Sequence, residues 1–587
     1  MTILKDYRKA AHIGKHMEFK RRRHSSTIAL VLLISFGFLI YLRSAFAAGE
    51  GYDVHLDLTI KEEFTDQAVW VGLAILVGVY VLIVTEVVHR TLAAALGGLI
   101  AVFALNFYTV ESTLTLRAVT TMIDWETIGL LLGMMVMVGV ISQTGVFEYF
   151  AIYAYKKSNG SIWTLVVILC AVTAILSAFL DNVTTMLLLT PVTIQLARVL
   201  DLKPIPLLIS EVLFSNIGGA ATMIGDPPNI MIGSALSPGA IQGNKDSAIA
   251  ALASQGVTFN DFIFEMAPGI LMTVVPTFMF LKWYYAEEFS GQRIRDVQEL
   301  ERMYGIKDSK MLAVSGVILS LVILGFFLHP VTHIPVSWIA LVGAVVMLLA
   351  TSRHNLEEPL HHVEWTTLLF FAGLFVLVHS LQYMGVITFI GGFVEDGIRF
   401  FGDDEVIRLA AGVLILLWVS AMVSAFIDNI PYTATMIPIV LQIAVNLDMP
   451  LDPLIWALAF GACLGGNGTL IGASANVVTA GLSEEAGHPI SFNDFFKAGF
   501  PVMILTTLIV SFYMLIVYVI GGEDSALEMK IVLTGITLFG IIWQISRGRS
   551  RGKTIAESLV DHEGHILTDV VEELRHLSSS LKHESEE

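Results

Sequence analysis

The chain has 587 residues, 55% of them hydrophobic and only 15% charged, with a net charge of −18 and a mean hydropathy of +0.74. Soluble domains carry about 25% charged residues, so an ordinary soluble enzyme is excluded and a polytopic helical membrane protein is implied. The acidic excess does not oppose membrane residence, because it crowds loops and tails while orientation follows Lys and Arg.

Residues 1–26 form a basic N-terminus, with Lys20-Arg21-Arg22-Arg23 directly before an apolar run at 27–47. That run ends in the small-x-small pattern Ala45-Phe46-Ala47. It reads either as a cleaved signal or as an uncleaved anchor, and the long basic lead favours the anchor. Further apolar runs follow at 68–85, 91–108, 127–143, 163–200, 206–236 and 268–284. A mixed-charge linker at 285–310, predicted to be cytoplasmic, precedes a second set at 311–328, 335–350, 366–382, 407–445, 454–481 and 500–520. One extra span, 530–546, leads into a charged, cytoplasmic tail at 547–587, whose later part reads as an amphipathic helix. The two cysteines, Cys170 and Cys463, lie in separate apolar runs, which argues against a disulfide framework or a Cys-based metal site.

The chain repeats itself. Ser177–Asn182 (SAFLDN) matches Ser424–Asn429 (SAFIDN) at an offset of 247. The same offset pairs Pro191 with Pro438, Gly218-Gly219 with Gly465-Gly466, Thr222 with Thr469, Gly225 with Gly472 and Asn229 with Asn476. Asp124-Trp125 pairs with Glu364-Trp365 at 240, and Phe259–Phe262 with Phe492–Phe495 at 233. Collinear matches with drifting offsets define two repeats, 68–284 and 311–520, joined by loops of different length; internal repeats mark secondary transporters. If 163–200 and 407–445 are re-entrant hairpins and the other runs each cross once, most of the 34 lysines and arginines fall on one side. The positive-inside rule then makes the repeats inverted, with both termini cytoplasmic. Charge alone leaves hairpins and paired full spans undistinguished. The predicted fold is therefore an all-α polytopic membrane protein. It has two inverted-topology repeats, each with a re-entrant hairpin and a broken transmembrane helix, and about 12 spans plus two hairpins.

Each repeat has two places where a helix must fail. One is Leu180-Asp181-Asn182 and its twin Ile427-Asp428-Asn429, followed in the second copy by Pro431. The other is Gly218–Asn229 (GGAATMIGDPPN) and its twin Gly465–Asn476 (GGNGTLIGASAN). Glycines and a double proline inside an apolar run break a helix. Breaks at the midplane aim helix N-termini at anions and loose carbonyls at cations. Asp181, Asp226 and Asp428 lie inside these apolar stretches, where an Asp costs about 3 kcal/mol. Each can serve as a helix cap or as a proton or cation site. The candidate ion- and substrate-binding set is Asp181, Asn182, Thr184, Asp226, Asn229, Asp428, Asn429, Thr433, Asn467, Ser474 and Asn476, with Glu211 and Asn216 as coupling candidates. Thr222 and Thr469 flank the glycines, where close packing competes as an explanation. His379 reads as a satisfied interior group. Half two carries Ala473 and Leu458 where half one carries Asp226 and Glu211. Neither broken segment holds Lys or Arg, so a site without fixed positive charge is expected, suited to H⁺, Na⁺ or a neutral solute.

At these motifs the sequence resembles the ion transporter superfamily, in the branch that holds arsenite permeases, a class of bacterial sodium–proton antiporters and the P protein, and looks closest to the last. The likeness covers roughly 68–520, a citrate-transporter-like domain. By resemblance, Asp181-Asn182 and Asp428-Asn429 sit at hairpin tips, with Asp where the sodium–dicarboxylate symporters carry Ser, a change that favours proton or cation handling. The resemblance also implies a homodimer with a scaffold part and a moving part. The expected function is secondary active transport by alternating access at the plasma (inner) membrane, foremost sodium–proton antiport. Arsenite or oxyanion efflux and a channel-like anion conductance are the alternatives. Partners are then a small inorganic ion and membrane lipid, with no nucleic acid, no cofactor and no fixed metal beyond transient Na⁺. No GxxxxGK[ST] loop occurs, so ATP hydrolysis by this chain is not expected. A separate ATPase subunit stays open without support in the sequence.

Overall fold

The computed structural model describes residues 58–559, apart from 86, 111–113, 244–246, 294–304, 403 and 551–552, with backbone alone at 523 and 524. The run at 27–47, the centre of the linker and the tail beyond 559 lie outside the described residues. The first repeat comprises α1 (Thr65–Thr85), α2 (Arg90–Tyr108), α3 (Trp125–Ser142), α4 (Val146–Ser158), α5 (Ile162–Phe179), α6 (Asn182–Leu200), α7 (Pro204–Gly219), α8 (Pro227–Ala235) and α9 (Phe259–Tyr284). The second comprises α10 (Ser309–Phe327), α11 (Val336–Thr351), α12 (Trp365–Tyr383), α13 (Val386–Arg399), α14 (Glu405–Phe426), α15 (Asn429–Asn446), α16 (Leu451–Gly465), α17 (Ser474–Glu485) and α18 (Phe492–Met514). The last helix is α19 (Gly522–Ser550). Eleven of the described helical segments are long and apolar enough to cross a membrane. Among the described residues there is no strand beyond isolated bridges such as Ile60–Thr109. The fold is all-α, as hydrocarbon requires of a chain whose backbone polar groups must be bonded internally.

The two long runs at 163–200 and 407–445 are each cut once, α5 from α6 and α14 from α15, which makes two helical hairpins. The runs at 206–236 and 454–481 are each cut at their glycines. Pro227 and Pro228 start α8, where the missing amides cost nothing. The equivalence of the repeats extends to bends and turns. Pro191 and Pro438 sit inside α6 and α15, and Pro268 and Pro501 inside α9 and α18. Gly145 and Gly385 open α4 and α13 with φ of 77° and 80°, a backbone region open to glycine at little cost. Each repeat holds the same succession of elements: four helices, a hairpin, a broken helix and a final helix, with α10 and α11 of the second repeat standing for α1 and α2 of the first in that order of elements.

Three features depart from the sequence reading. Helices α4 and α13 carry too little continuous apolar length to register as spans, yet both are helices at equivalent places. The extra span is longer than 530–546, since α19 starts at Gly522. The tail begins as helix to Ser550, with a short capped turn at Ile555–Ser558.

The chain divides into two compact units. One contains Ile128–Thr144 and Asp308–Glu364. Within it small residues let backbones approach: a Cβ on Gly133 would lie 2.7 Å from the Ala340 carbonyl carbon. The other contains both hairpins, both broken helices, α1, α2, α12 and α19. Within it α2 crosses α12 closely, where a Cβ on Gly98 would lie 2.8 Å from the Gly373 oxygen and one on Gly373 2.9 Å from the Ala95 nitrogen.

The distribution of lysine and arginine makes a testable statement about sidedness. Single cysteines at positions 156, 293 and 549, in a chain lacking Cys170 and Cys463, should react with an impermeant maleimide from the cytoplasmic face, and cysteines at 61 and 399 from the opposite face. Mixed labelling within either group overturns the inverted arrangement.

Candidate functional site

The tip of each hairpin lies against the break of the following helix in its own repeat. Asn182 N donates to Gly225 O at 3.1 Å, and its twin Asn429 N to Gly472 O at 3.3 Å. Ser177 Oγ donates to Ser215 O and Ser424 Oγ to Ala462 O, both at 2.7 Å. Thr222 Oγ1 donates to Ala178 O as Thr469 Oγ1 does to Ala425 O. Asn229 Nδ2 donates to the carbonyls of Gly219 and Thr222, and Asn476 Nδ2 to those of Gly466 and Thr469. Every one of these pairs obeys the 247-residue offset. They satisfy the carbonyls that the breaks leave without intrahelical partners.

On this common frame the carboxylates behave differently from one another. Asp181 caps α6: its oxygens accept from Thr184 N at 2.8 Å and Thr184 Oγ1 at 2.5 Å. Asp428 caps α15 through Ile430 N at 3.1 Å and also accepts from Ser474 Oγ at 2.9 Å. Asp226 stands at the cap position of α8 but makes no cap bond there. It is fully buried, and its carboxylate accepts instead from Asn429 Nδ2 of the other repeat at 3.3 and 3.4 Å. Among the described residues no Lys or Arg forms an ion pair with Asp181, Asp226 or Glu211.

Asparagines join the halves. Asn216 accepts from Asn182 Nδ2 at 3.2 Å and donates to Asn467 Oδ1 at 3.0 Å and Asn476 Oδ1 at 2.9 Å. The residue at the position equivalent to Asn216 is Cys463, whose thiol donates to Asn229 Oδ1 at 3.2 Å. Asn182 Oδ1 and Asn467 Nδ2 are buried and without a hydrogen-bond partner. One spare acceptor, one spare donor and a buried carboxylate therefore lie in one connected polar centre, the composition of a site for a small polar or charged species.

The structure thus brings together Asp226 with Asn429, Asn182 with Asn216, Asn467 and Asn476, and Asp428 with Ser474. Thr184 serves Asp181 alone, and Thr433 Oγ1 folds back on Asn429 O at 2.8 Å. Asn229 and Asn476 brace the breaks. Glu211 is held apart from this set: Thr193 Oγ1 donates to its Oε1 at 3.0 Å, and its Oε2 is buried without a partner. His379 bonds Phe375 O within its own helix at 3.0 Å, an interior group satisfied locally.

The expectation of a site free of fixed positive charge is corrected by Arg90. Its Nη1 lies 3.3 Å from Asp428 Oδ2 and 2.5 Å from Ser474 Oγ. It opens α2, some 340 residues from Asp428 in sequence, and in the sequence it reads as one more positive charge at a loop. Tyr80 was equally hidden; its hydroxyl reaches Pro431 O at 3.1 Å and Thr435 Oγ1 at 3.0 Å. Cys463 had a signal available, since it occupies the position equivalent to Asn216.

Comparison with known proteins follows the same lines. The sequence matches the citrate transporter family over residues 80–461, more than half of the chain. The chain belongs to the citrate transporter family. It is 40% identical to the P protein of Homo sapiens over 524 residues, covering 77% of this chain and 60% of that one. It is 40% identical to an uncharacterized transporter of Mycobacterium tuberculosis over 451 residues, covering 76% of this chain and 98% of that one. The chain spans about three fifths of the length of the P proteins it matches. A crystal structure of the Alcanivorax borkumensis YdaH transporter, described as having an unusual topology, superposes with a TM-score of 0.50 at 14% identity, covering 77% of this chain and 97% of that one. This citrate transporter family member is an integral membrane transporter of the ion transporter superfamily.

The breaks are built with unequal tolerance. A Cβ on Gly219 would lie 2.5 Å from the Gly225 oxygen, whereas one on Gly466 would lie 3.0 Å from the Ala473 Cβ. Gly219→Ala should therefore cost about 1–3 kcal/mol through overpacking against backbone. Gly466→Ala, whose nearest contacts are at 3.0 Å or more, should cost less. Thermal midpoints of the detergent-purified variants check the order, and equal midpoints contradict it.

Proposed function

We propose that this transporter exchanges a monovalent cation, foremost Na⁺, for protons by alternating access, at the polar centre between the two hairpin tips and the two breaks. The observation that carries the reading is Asp226. A carboxylate with no exposed surface, held by a neutral amide and without a cationic side chain in reach among the described residues, must be discharged by a proton or by a bound cation. Those two species compete for the same oxygens, which is the chemical requirement for exchange. Asp181 adds negative charge beside the same centre, and Asn182, Asn216 and Asn467 offer neutral ligands of both polarities. Glu211, buried with a free oxygen, is the coupling candidate that holds a proton away from the cation.

The working cycle needs few steps. With the centre open to one side, a cation enters and displaces the proton from the carboxylate. The neutralised centre then reorients, and the cation leaves as a proton returns. Moving a bare carboxylate through the apolar barrier is costly, so reorientation with neither species bound is disfavoured and the two flows stay coupled.

A second reading, passage of an anion, rests on two observations. The family is named for citrate transport, and Arg90 supplies a fixed positive charge at the second hairpin tip. Arsenite or another oxyanion belongs to this reading. Residence in the plasma (inner) membrane, cytoplasmic termini and a homodimer complete the proposal.

The test is flux in proteoliposomes with an internal pH dye, challenged in turn with Na⁺, Li⁺, K⁺, arsenite and citrate. Asp226→Asn keeps size and accepts fewer roles: it cannot titrate. It should lose cation-driven proton flux by at least ~10-fold, equal to ~1.4 kcal/mol in the barrier, while remaining monodisperse. Asp181→Asn should keep the α6 cap, and Asp181→Ala should lose about 1 kcal/mol of stability with it. Wild-type flux and pH profile in Asp226→Asn overturn the cation–proton reading, and citrate- or arsenite-driven flux without a cation requirement replaces it with the anion reading.

A further inference from the structure

Arg90 joins the α2–α12 pair to the tip of the second hairpin. On one side α2 lies backbone to backbone against α12 at Gly98 and Gly373, and Thr91 Oγ1 donates to Thr366 O at 2.8 Å. On the other side the tip of the second hairpin is locked to its own break through Asn429 N and Gly472 O. The guanidinium leaves the start of α2, passes 5.6 Å from the Phe370 ring of α12, and ends on both Asp428 at the tip and Ser474 at the start of α17. One flexible side chain thus ties a rigid helix pair to both functional ends of the second repeat. Among the described residues the first repeat has no such ion pair: the cap residue Asp181 is served by Thr184 from its own helix.

We infer that Arg90 is a latch that holds the second hairpin tip closed, acting as a tethered cation at Asp428. The inference rests on the reading that this tip lines the pathway. In the orientation proposed above, the start of α2 is cytoplasmic and the second hairpin enters from the opposite face. The latch therefore closes the inner side, and opening there requires Asp428 and Ser474 to exchange the guanidinium for water or for the transported species. Arg90 is partly exposed, at 24%, while Asp428 is at 7%; the bridge sits where the polar centre meets the surface. Asp428 is in this state neutralised by the protein itself, so the exchangeable charge rests with Asp226 and Asp181, and the two hairpins have different work: one carries, the other gates. Arg90 is on this account a positioning residue.

The experiment reads accessibility, so it needs no knowledge of the ion. In a full-length chain lacking Cys170 and Cys463, Ile430→Cys places a thiol in the first turn after Asp428, at a site that is 1% exposed. Its rate of reaction with an impermeant maleimide is measured in inside-out vesicles for the parent, Arg90→Gln, Arg90→Lys, Asp428→Asn and the double variant Arg90→Gln/Asp428→Asn. Arg90→Gln should raise the rate at least ~10-fold, the factor given by ~1.4 kcal/mol. Arg90→Lys should restore much of the parent rate. The double variant should match the singles, because all three break one bridge. An unchanged rate in Arg90→Gln, or additive effects in the double variant, overturns the latch. Should Arg90→Gln fail to stay monodisperse, Asp428→Asn alone decides, a faster rate supporting the latch and an unchanged rate overturning it. A protein that shows the labelling response without cation–proton flux keeps the latch and loses the cation reading; flux without the response does the reverse.

Discussion

Interrupting a helix at membrane depth strands backbone amides and carbonyls where no water competes for them, and each one left unbonded costs several kcal/mol. The bond from Asn182 N to Gly225 O, repeated as Asn429 N to Gly472 O, answers that constraint. A hairpin tip and a helix break are each untenable alone in lipid; set against each other they complete one another's hydrogen bonds. The serines at 177 and 424, the threonines at 222 and 469 and the asparagines at 229 and 476 extend the same solution outward. Glycine is required at these junctions because backbone meets backbone: a Cβ on Gly225 would lie 2.5 Å from Ser177 O, and one on Gly472 2.9 Å from Gly466 O.

With both halves wired alike, their chemistry differs at a few equivalent positions. Asp226 faces Ala473 in the comparison of halves, Glu211 faces Leu458, and Asn216 faces Cys463. Every polar member of these three pairs except the thiol belongs to the first half. The first half therefore contributes the unpaired carboxylates and the central amide, and the second half contributes Asn429 to hold Asp226 and Asn467 and Asn476 to meet Asn216. The frame is common to both halves, while the buried carboxylates Asp226 and Glu211 stand in the first half, with Ala473 and Leu458 at the equivalent places.

Much of this was legible in the sequence, and for a physical reason. Lipid forces continuous apolar length, so spans are visible as runs; breaks need glycine and proline, so they are visible as interruptions; and duplication copies both at fixed offsets. What stayed hidden was long-range. Nothing in the local sequence of Arg90 distinguishes it from other arginines beside apolar runs, and its partner lies in the other repeat. Helices α4 and α13 were missed because their apolar residues are interleaved with Glu148, Lys156 and Lys157 in one and with Glu395, Asp396 and Arg399 in the other. Asp181 caps its helix and Asp226 does not, and Asp-Pro-Pro in sequence suggests a cap as readily as a free carboxylate.

The distribution of tethers also bears on what can move. Bonds inside the hairpin-and-break assembly are numerous, short and buried, whereas among the described residues its hydrogen bonds to α1 and α2 at the second tip come from two side chains. These are Tyr80 on Pro431 O and Thr435, and Arg90 on Asp428 and Ser474. Side-chain tethers of this kind break and re-form without disturbing either block, because the long arginine stem and the tyrosine ring pivot while the backbones they join stay packed. A moving part needs an interior that resists deformation and a boundary that does not. The tip of the second hairpin meets both conditions: its interior bonds are backbone-anchored, and its boundary is held by one charge and one hydroxyl.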